Sequence, residues 1–116
     1  MTDPDLVDHI IAVLAAEAGL KKPADLLKRT ARIHRICKFR DDAIYLARQL
    51  TSMSYPELAQ RFGERHHTTL ICAVRKVELR LRNNPIRKDG RTWADWHKYL
   101  VGKIQADATA LTGVNQ

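Results

Sequence analysis

Cysteine is scarce here, with Cys37 and Cys72 the two in 116 residues. Two thiols build no disulfide framework, which excludes the stapled scaffolds of small secreted domains and fits a reducing compartment. No apolar run approaches the ~20 residues that cross a bilayer. The opening MTDPD is acidic where a secretory signal is basic. A G-x-x-x-x-G-K-[ST] phosphate loop is also missing, so no ATPase module of that kind is expected in this chain. Cys72 has histidines near it in sequence but no recognisable acid partner or oxyanion donor, and an enzyme is not expected. His34-x-x-Cys37 and the trio His66, His67 and Cys72 offer ligand types for zinc. Their spacings fit no standard finger, and neither a metal nor another cofactor is expected.

Present instead is basic charge on a foldable chain. A length of 116 residues suits one compact domain, and a hydrophobic content of 45% supports a core. A formal net charge of +7 with a pI near 9.8 suits a polyanionic partner. Ribosome-bound and membrane-surface proteins share that property, so charge alone does not choose the partner. A soluble cytoplasmic protein is the expectation.

The most informative stretch is SYPELAQRFGERHHTTLICAVRKVELRLR, from Ser54 to Arg82. Ser54-x-x-Glu57 has the form of a capping box, and Pro56 falls in the first turn, where its missing N–H would have no helical partner. Leu58, Ala59 and Phe62 make an apolar face, and Gly63 supplies the left-handed residue that ends a helix. A second helix from about His67 or Thr68 is predicted, because Leu70, Ala73, Val74, Val77 and Leu81 recur as one buried stripe. Its other side carries Thr68, Thr69, Cys72, Arg75, Lys76 and Arg80, chemistry suited to bases and phosphates. Helix, tight turn, helix is the arrangement that takes the second helix's N-terminal side chains into the major groove of DNA.

The run GERHHTTLICAVRKV, residues 63–77, resembles the signature of the DNA-binding domain (domain IV) of the bacterial replication initiator DnaA. The usual run there is G-G-R-D-H-T-T-V, followed by an Ala and a Lys-Ile or Lys-Val pair. Tyr45-Leu-Ala-Arg-Gln-Leu-Thr51, Ser54-Tyr-Pro-Glu57 and the ADLL at 24–27 extend the resemblance over roughly residues 6–100. The resemblance implies an all-α fold of about six helices with a helix–turn–helix, of the DnaA domain IV or Trp-repressor-like type. It implies a stand-alone domain, without the AAA+ ATPase module, that binds double-stranded DNA. It favours a DNA role for His67, Thr68 and Thr69, and Lys76 matches a lysine farther along the helix near the backbone. Arg32 aligns with an arginine that probes the minor groove, and Arg40 with a basic residue that opens the next helix and faces phosphates. On their own chemistry, Thr68 can donate or accept at a base edge and pack its methyl on thymine. Thr69 can do the same or cap the helix, and His67 can bond a base or a phosphate. Arg65, in the turn, can reach either.

The chain departs from the family pattern at three places. Phe39-Arg40-Asp41 stands where Pro-Arg-Gln is usual, and the negative Asp41 puts a backbone contact by Arg40 in doubt. Glu64 replaces the second glycine and, near phosphates, is expected to weaken binding modestly. His66 replaces an aspartate that can accept from a cytosine amino group. A neutral imidazole can accept, whereas a protonated one only donates and adds charge towards DNA. His66 is therefore expected to read a base and to change base preference.

Elsewhere, Asp3-Pro4 reads as a helix start with Asp as the cap. Leu6, Ile10, Val13 and Leu14 form the stripe of that helix and Gly19 its end, with His9 on the exposed side. Lys22-Pro23 opens a short helix containing Leu26 and Leu27. Residues 28–40, KRTARIHRICKFR, hold no acid and read as a basic connector that neutralises phosphates, or simply as a solvated linker. A helix from about Asp41 to Leu50 turns Ala43, Ile44, Ala47 and Leu50 inward. Tyr45 is expected to pack, and Arg48 to serve a phosphate or only solvent. Asn83-Asn84-Pro85 breaks the long helix, and a last helix starts near Thr92. Its Trp93, Trp96, Leu100 and Ile104 form a lid on the core, or else expose a patch for a protein partner or a second copy. The domain is expected to span residues 1–106, with 107–116 a frayed tail.

The expected function is sequence-specific binding of double-stranded DNA that regulates transcription or replication initiation, at the nucleoid of a bacterium or from a phage or mobile element. The rival reading is a protein-interaction module on a diverged DnaA-like fold.

Overall fold

Six helical elements follow one another in the computed structural model, which describes residues 2–28, 34–64 and 66–111. They are α1 (Asp3–Glu17), a 3-10 helix (Pro23–Leu27), α2 (His34–Leu50), α3 (Tyr55–Arg61), α4 (Thr68–Asn83) and α5 (Trp93–Leu111). The expected all-α class holds; among the described residues strand pairing is limited to an isolated Ile86–Thr92 bridge. No described helix is long and apolar enough to cross a membrane.

Thr2, rather than Asp3, caps α1. Its hydroxyl accepts from the Asp5 N–H at 3.3 Å, and Pro4 sits in the first turn. Asp3 is thereby freed for a longer reach: its carboxylate accepts from the Ser52 N–H at 3.2 Å and the Ser52 hydroxyl at 2.8 Å. That ties the start of α1 to the linker after α2. At the other end the Leu20 N–H reaches the Ala15 carbonyl at 2.9 Å and the Gly19 N–H the Ala16 carbonyl at 3.0 Å. This is a Schellman closure, with Gly19 at φ +79°. His9 is half-buried rather than exposed, with Nε2 3.7 Å from the Asp107 carboxylate of α5.

The main correction concerns α2. It begins at His34, so the second half of the basic run is helix and not connector; residues 29–33 lie outside the described residues. Ile36 and Phe39, one turn apart and partly buried against the core, give this segment an apolar stripe that its charges obscured. Ala43, Ile44, Leu46 and Ala47 continue it into the interior. α2 packs on α1, α3 and α4 and is the central helix of the bundle.

Trp93 and Trp96 are 8% and 2% exposed. The lid is the arrangement adopted, and the exposed-tryptophan patch is not formed. A buried carboxylate fixes the lid. Asp42, 1% exposed, accepts from Trp96 Nε1 at 3.0 Å and lies 2.9 Å from His97 Nε2. With Asp42 as the acceptor, the His97 tautomer that completes the pair is the one with its N–H at Nε2. Tyr45 packs edge-on against the same imidazole, ring centroids 5.3 Å apart. Asn84, left-handed at φ +47°, ends α4 and turns its side-chain oxygen to the Ala94 N–H at 2.9 Å. Thr92 accepts from the Asp95 N–H at 3.2 Å, a hydroxyl cap for α5. Arg87 and Arg91 of the intervening loop lie 3.7 and 5.2 Å over the Trp96 ring. α5 then runs through Asp107, where a tail was expected, to Leu111, and residues 112–116 lie outside the described residues. Tyr99 and Lys103 donate to Glu17 at 2.8 and 3.2 Å and fix α5 against α1.

Replacing Asp42 leaves two buried N–H groups without their acceptor. Asp42→Ala is expected to lower the unfolding free energy by about 3 kcal/mol. Urea denaturation measures the loss, and a red shift of tryptophan emission in the folded baseline reports the loosened lid.

Candidate nucleic-acid interface

Local bonds build the helix–turn–helix. The Ser54 hydroxyl accepts from the Glu57 N–H at 3.4 Å, while Glu57 Oε1 accepts from the Ser54 N–H at 3.1 Å and hydroxyl at 2.8 Å. The capping box read from the sequence is therefore formed. The Ser54 backbone N–H, and after it the hydroxyl, hold the Glu57 carboxyl below the usual carboxylate range. Leu58, Ala59 and Phe62 are buried. α3 ends in a second Schellman closure: the Glu64 N–H bonds to Ala59 at 2.8 Å and the Gly63 N–H to Gln60 at 3.3 Å. Gly63 has φ +67°, and an added Cβ would meet no atom within 4 Å. The backbone conformation, not crowding, is what asks for glycine there.

α4 starts at Thr68. His67 holds the cap position and makes no side-chain cap bond, so no capping side chain blunts the positive end of the helix dipole. Leu70, Ala73, Val74 and Val77 are buried, and Leu81 is half-buried. His66, His67, Thr68, Thr69, Cys72, Arg75 and Lys76 are exposed. Arg75 lies seven residues after Thr68 and three after Cys72, on the same outward stripe. Helical spacing places it beside them on the exposed side of α4.

Three cations are placed differently from their sequence reading. Arg40 forms an ion pair with Glu64, their side chains 18% and 9% exposed. Arg80, read onto the outward side, is half-buried, 3.8 Å from the Asp41 carboxylate and 5.2 Å over the Trp93 ring. Arg48 donates from Nη1 to the Met53 carbonyl at 2.8 Å and lies 4.6 Å over the Tyr55 ring. It braces the α2–α3 linker instead of facing only solvent. Burial pushes the Asp41 carboxyl above its usual range, and the positive charges of Lys76 and Arg80 oppose that rise. The early turns of α2, the turn before α4 and the outer side of α4 thus share one region. Arg32 and Arg65 lie outside the described residues. Among the described residues no group of three or more His, Cys, Asp or Glu side chains is placed to hold a metal ion.

A helix locked to the core along one side, with its polar N-terminal end presented after a tight turn, defines a helix–turn–helix module. Residues 7–77 match the family described as the bacterial DnaA protein helix-turn-helix, and the chain belongs to that family. The match ends inside α4, so the α4–α5 loop and α5 lie beyond it. The chain is 40% identical over 79 residues to the chromosomal replication initiator protein DnaA of Pelobacter propionicus, covering 68% of this chain and 17% of that protein. The DnaA protein of Zymomonas mobilis is 48% identical over 65 residues, 55% of this chain and 13% of its own. That of Xanthobacter autotrophicus is 46% identical over 81 residues, 66% of this chain and 15% of its own. The chain therefore corresponds to a small part of the length of these relatives.

The capping box carries a pH signature. A depressed carboxyl contributes stability that is present above the ordinary Glu range and lost as pH falls through the depressed value. Glu57 is expected to titrate below ordinary glutamates in a carboxyl NMR titration, and Ser54→Ala to return it part of the way. An ordinary midpoint in both proteins would show the box open in solution.

Proposed function

We propose that this chain binds double-stranded DNA with sequence preference, α4 lying in the major groove. The observation that carries the reading is the exposure of His66, His67, Thr68 and Thr69 at the start of a helix whose other side is buried. Side chains at that end of a recognition helix reach base edges. The threonines offer a hydroxyl and a methyl to them, and the imidazoles offer a donor or an acceptor. Lys76 and Arg75 follow along the groove wall to phosphates. Arg48 keeps further N–H donors for a phosphate beyond the one given to Met53. Arg32 in the minor groove rests on the family resemblance, and Arg65 at a base or phosphate on its place in the turn sequence. Arg40 reaches a phosphate only by leaving Glu64. The relatives are named as chromosomal replication initiators, which supports action at replication origins or initiator-controlled promoters, in the cytoplasm at the nucleoid, by binding and not catalysis. The protein-interaction reading needs the tryptophans of α5 at the surface, and their burial weighs against it.

A competition titration near physiological salt tests the proposal, with a labelled duplex carrying the initiator's consensus box, a scrambled duplex and a random pool. Preference for the box or for a sequence recovered from the pool is expected; equal, weak binding to every duplex overturns the reading. Lys76→Ala is expected to weaken all duplexes alike and to reduce the salt slope by about 1. Thr68→Ala is expected to cost about 1 kcal/mol on the preferred duplex and little on the scrambled one. His66→Asp is expected to shift the selected sequence towards the initiator's box, and an unchanged selection would remove His66 from base readout.

A further inference from the structure

Two acids stand where the family pattern has uncharged residues, Asp41 in α2 and Glu64 in the turn before α4, and each faces an arginine. Glu64 is paired with Arg40, and the Asp41 carboxylate lies 3.8 Å from Arg80. The Arg40–Glu64 pair is the more consequential. Arg40 is the residue aligned with a phosphate contact, and its partner sits in the turn that leads into the reading helix.

We infer that Glu64 masks Arg40 and lowers the chain's affinity for DNA of any sequence, making the turn an internal competitor for the phosphate backbone. The inference rests on the DNA-binding reading above. With side chains 18% and 9% exposed, the pair is largely withdrawn from water. Breaking it leaves a charge partly buried unless a new partner compensates. A phosphate must therefore displace a carboxylate already in place, and an arginine that stays paired releases no counterion from DNA. Glu64 does this from a position whose backbone N–H is already committed to the Ala59 carbonyl, and that bond survives any side-chain change. Removing the carboxylate therefore alters the charge and leaves the helix closure intact.

The experiment is a double-mutant cycle read by fluorescence anisotropy on the duplex the wild-type chain prefers, or on the initiator's box if it prefers none, between 50 and 200 mM salt. The four proteins are wild type, Glu64→Gln, Arg40→Ala and the double variant, each checked for helicity and thermal unfolding. Glu64→Gln keeps the size and hydrogen-bonding reach of the side chain, so a folding failure is not the expected result. The expected gain is several-fold in affinity at 50 mM. That gain shrinks by about threefold at 200 mM, as one added phosphate contact requires from a slope of about 0.9 per contact. Arg40→Ala is expected to abolish the gain of Glu64→Gln, so that the double variant binds several-fold more weakly than Glu64→Gln at 50 mM. Simple loss of repulsion would instead raise affinity whether or not Arg40 is present, and that result overturns the masking. So does a loss of affinity in Glu64→Gln, which would show the pair ordering the turn for binding. Lys76→Ala separates the two levels. A wild type that binds and is weakened by Lys76→Ala, with no gain from Glu64→Gln, removes the inference alone. No binding by any of the proteins removes the DNA reading with it.

Discussion

Three consecutive charged residues in α2 hold the rest of the structure in place. Arg40 meets Glu64 in the turn before α4, Asp41 meets Arg80 on α4, and Asp42 takes the indole and imidazole of α5. Neighbours in a helix point about 100° apart, so three in a row point in three well-separated directions spanning about 200°. One turn of the central helix therefore sets the position of the turn, of α4 and of the lid. The innermost of the three is the most demanding. A carboxylate 1% exposed is tolerable only because two N–H groups meet it, and those groups in turn are tolerable only because the carboxylate is there.

The number of lysines and arginines overstates what the fold leaves for a polyanion. Arg40 and Arg80 face acids inside the fold. Arg87 and Arg91 share Asp89 and lie over Trp96. Lys103 is held by Glu17, which pushes its ammonium above the usual lysine range. The cations left on the outward stripe of α4, Arg75 and Lys76, are few beside the 20 lysines and arginines of the whole chain. On the proposed DNA-binding reading, discrimination leans on the uncharged and titratable groups at the start of α4, where geometry and hydrogen bonding decide which base fits.

The helix–turn–helix was legible because each of its parts has a local cause. A capping box, a glycine needing positive φ and a stripe of apolar residues are all complete within a few turns, and each formed where it was read. The start of α2 was not legible, since Ile36 and Phe39 are sparse among basic residues and charge suggested a solvated connector. Thr2 displaced Asp3 as cap because Asp3 has a partner 49 residues away in Ser52, and no local pattern announces such a bond. The same holds for Asp42: an acid pair near a helix start reads as surface until Trp96 and His97 arrive from the far end of the chain. Pairing also hid the state of Arg40, Arg48 and Arg80. Sequence gives their charge, while the partner that occupies it is fixed only by packing.

The contact between α1 and α5 has a consequence for synthesis. α1 leaves the ribosome before α5, yet Glu17 waits for Tyr99 and Lys103, and His9 for Asp107. At roughly 5–20 residues per second, several seconds separate the making of α1 from the arrival of α5. During that interval the apolar side of α1 has only part of its cover. Chaperone access and aggregation are decided in those seconds, and a nascent chain stalled before Trp93 would expose the surface that the finished protein hides.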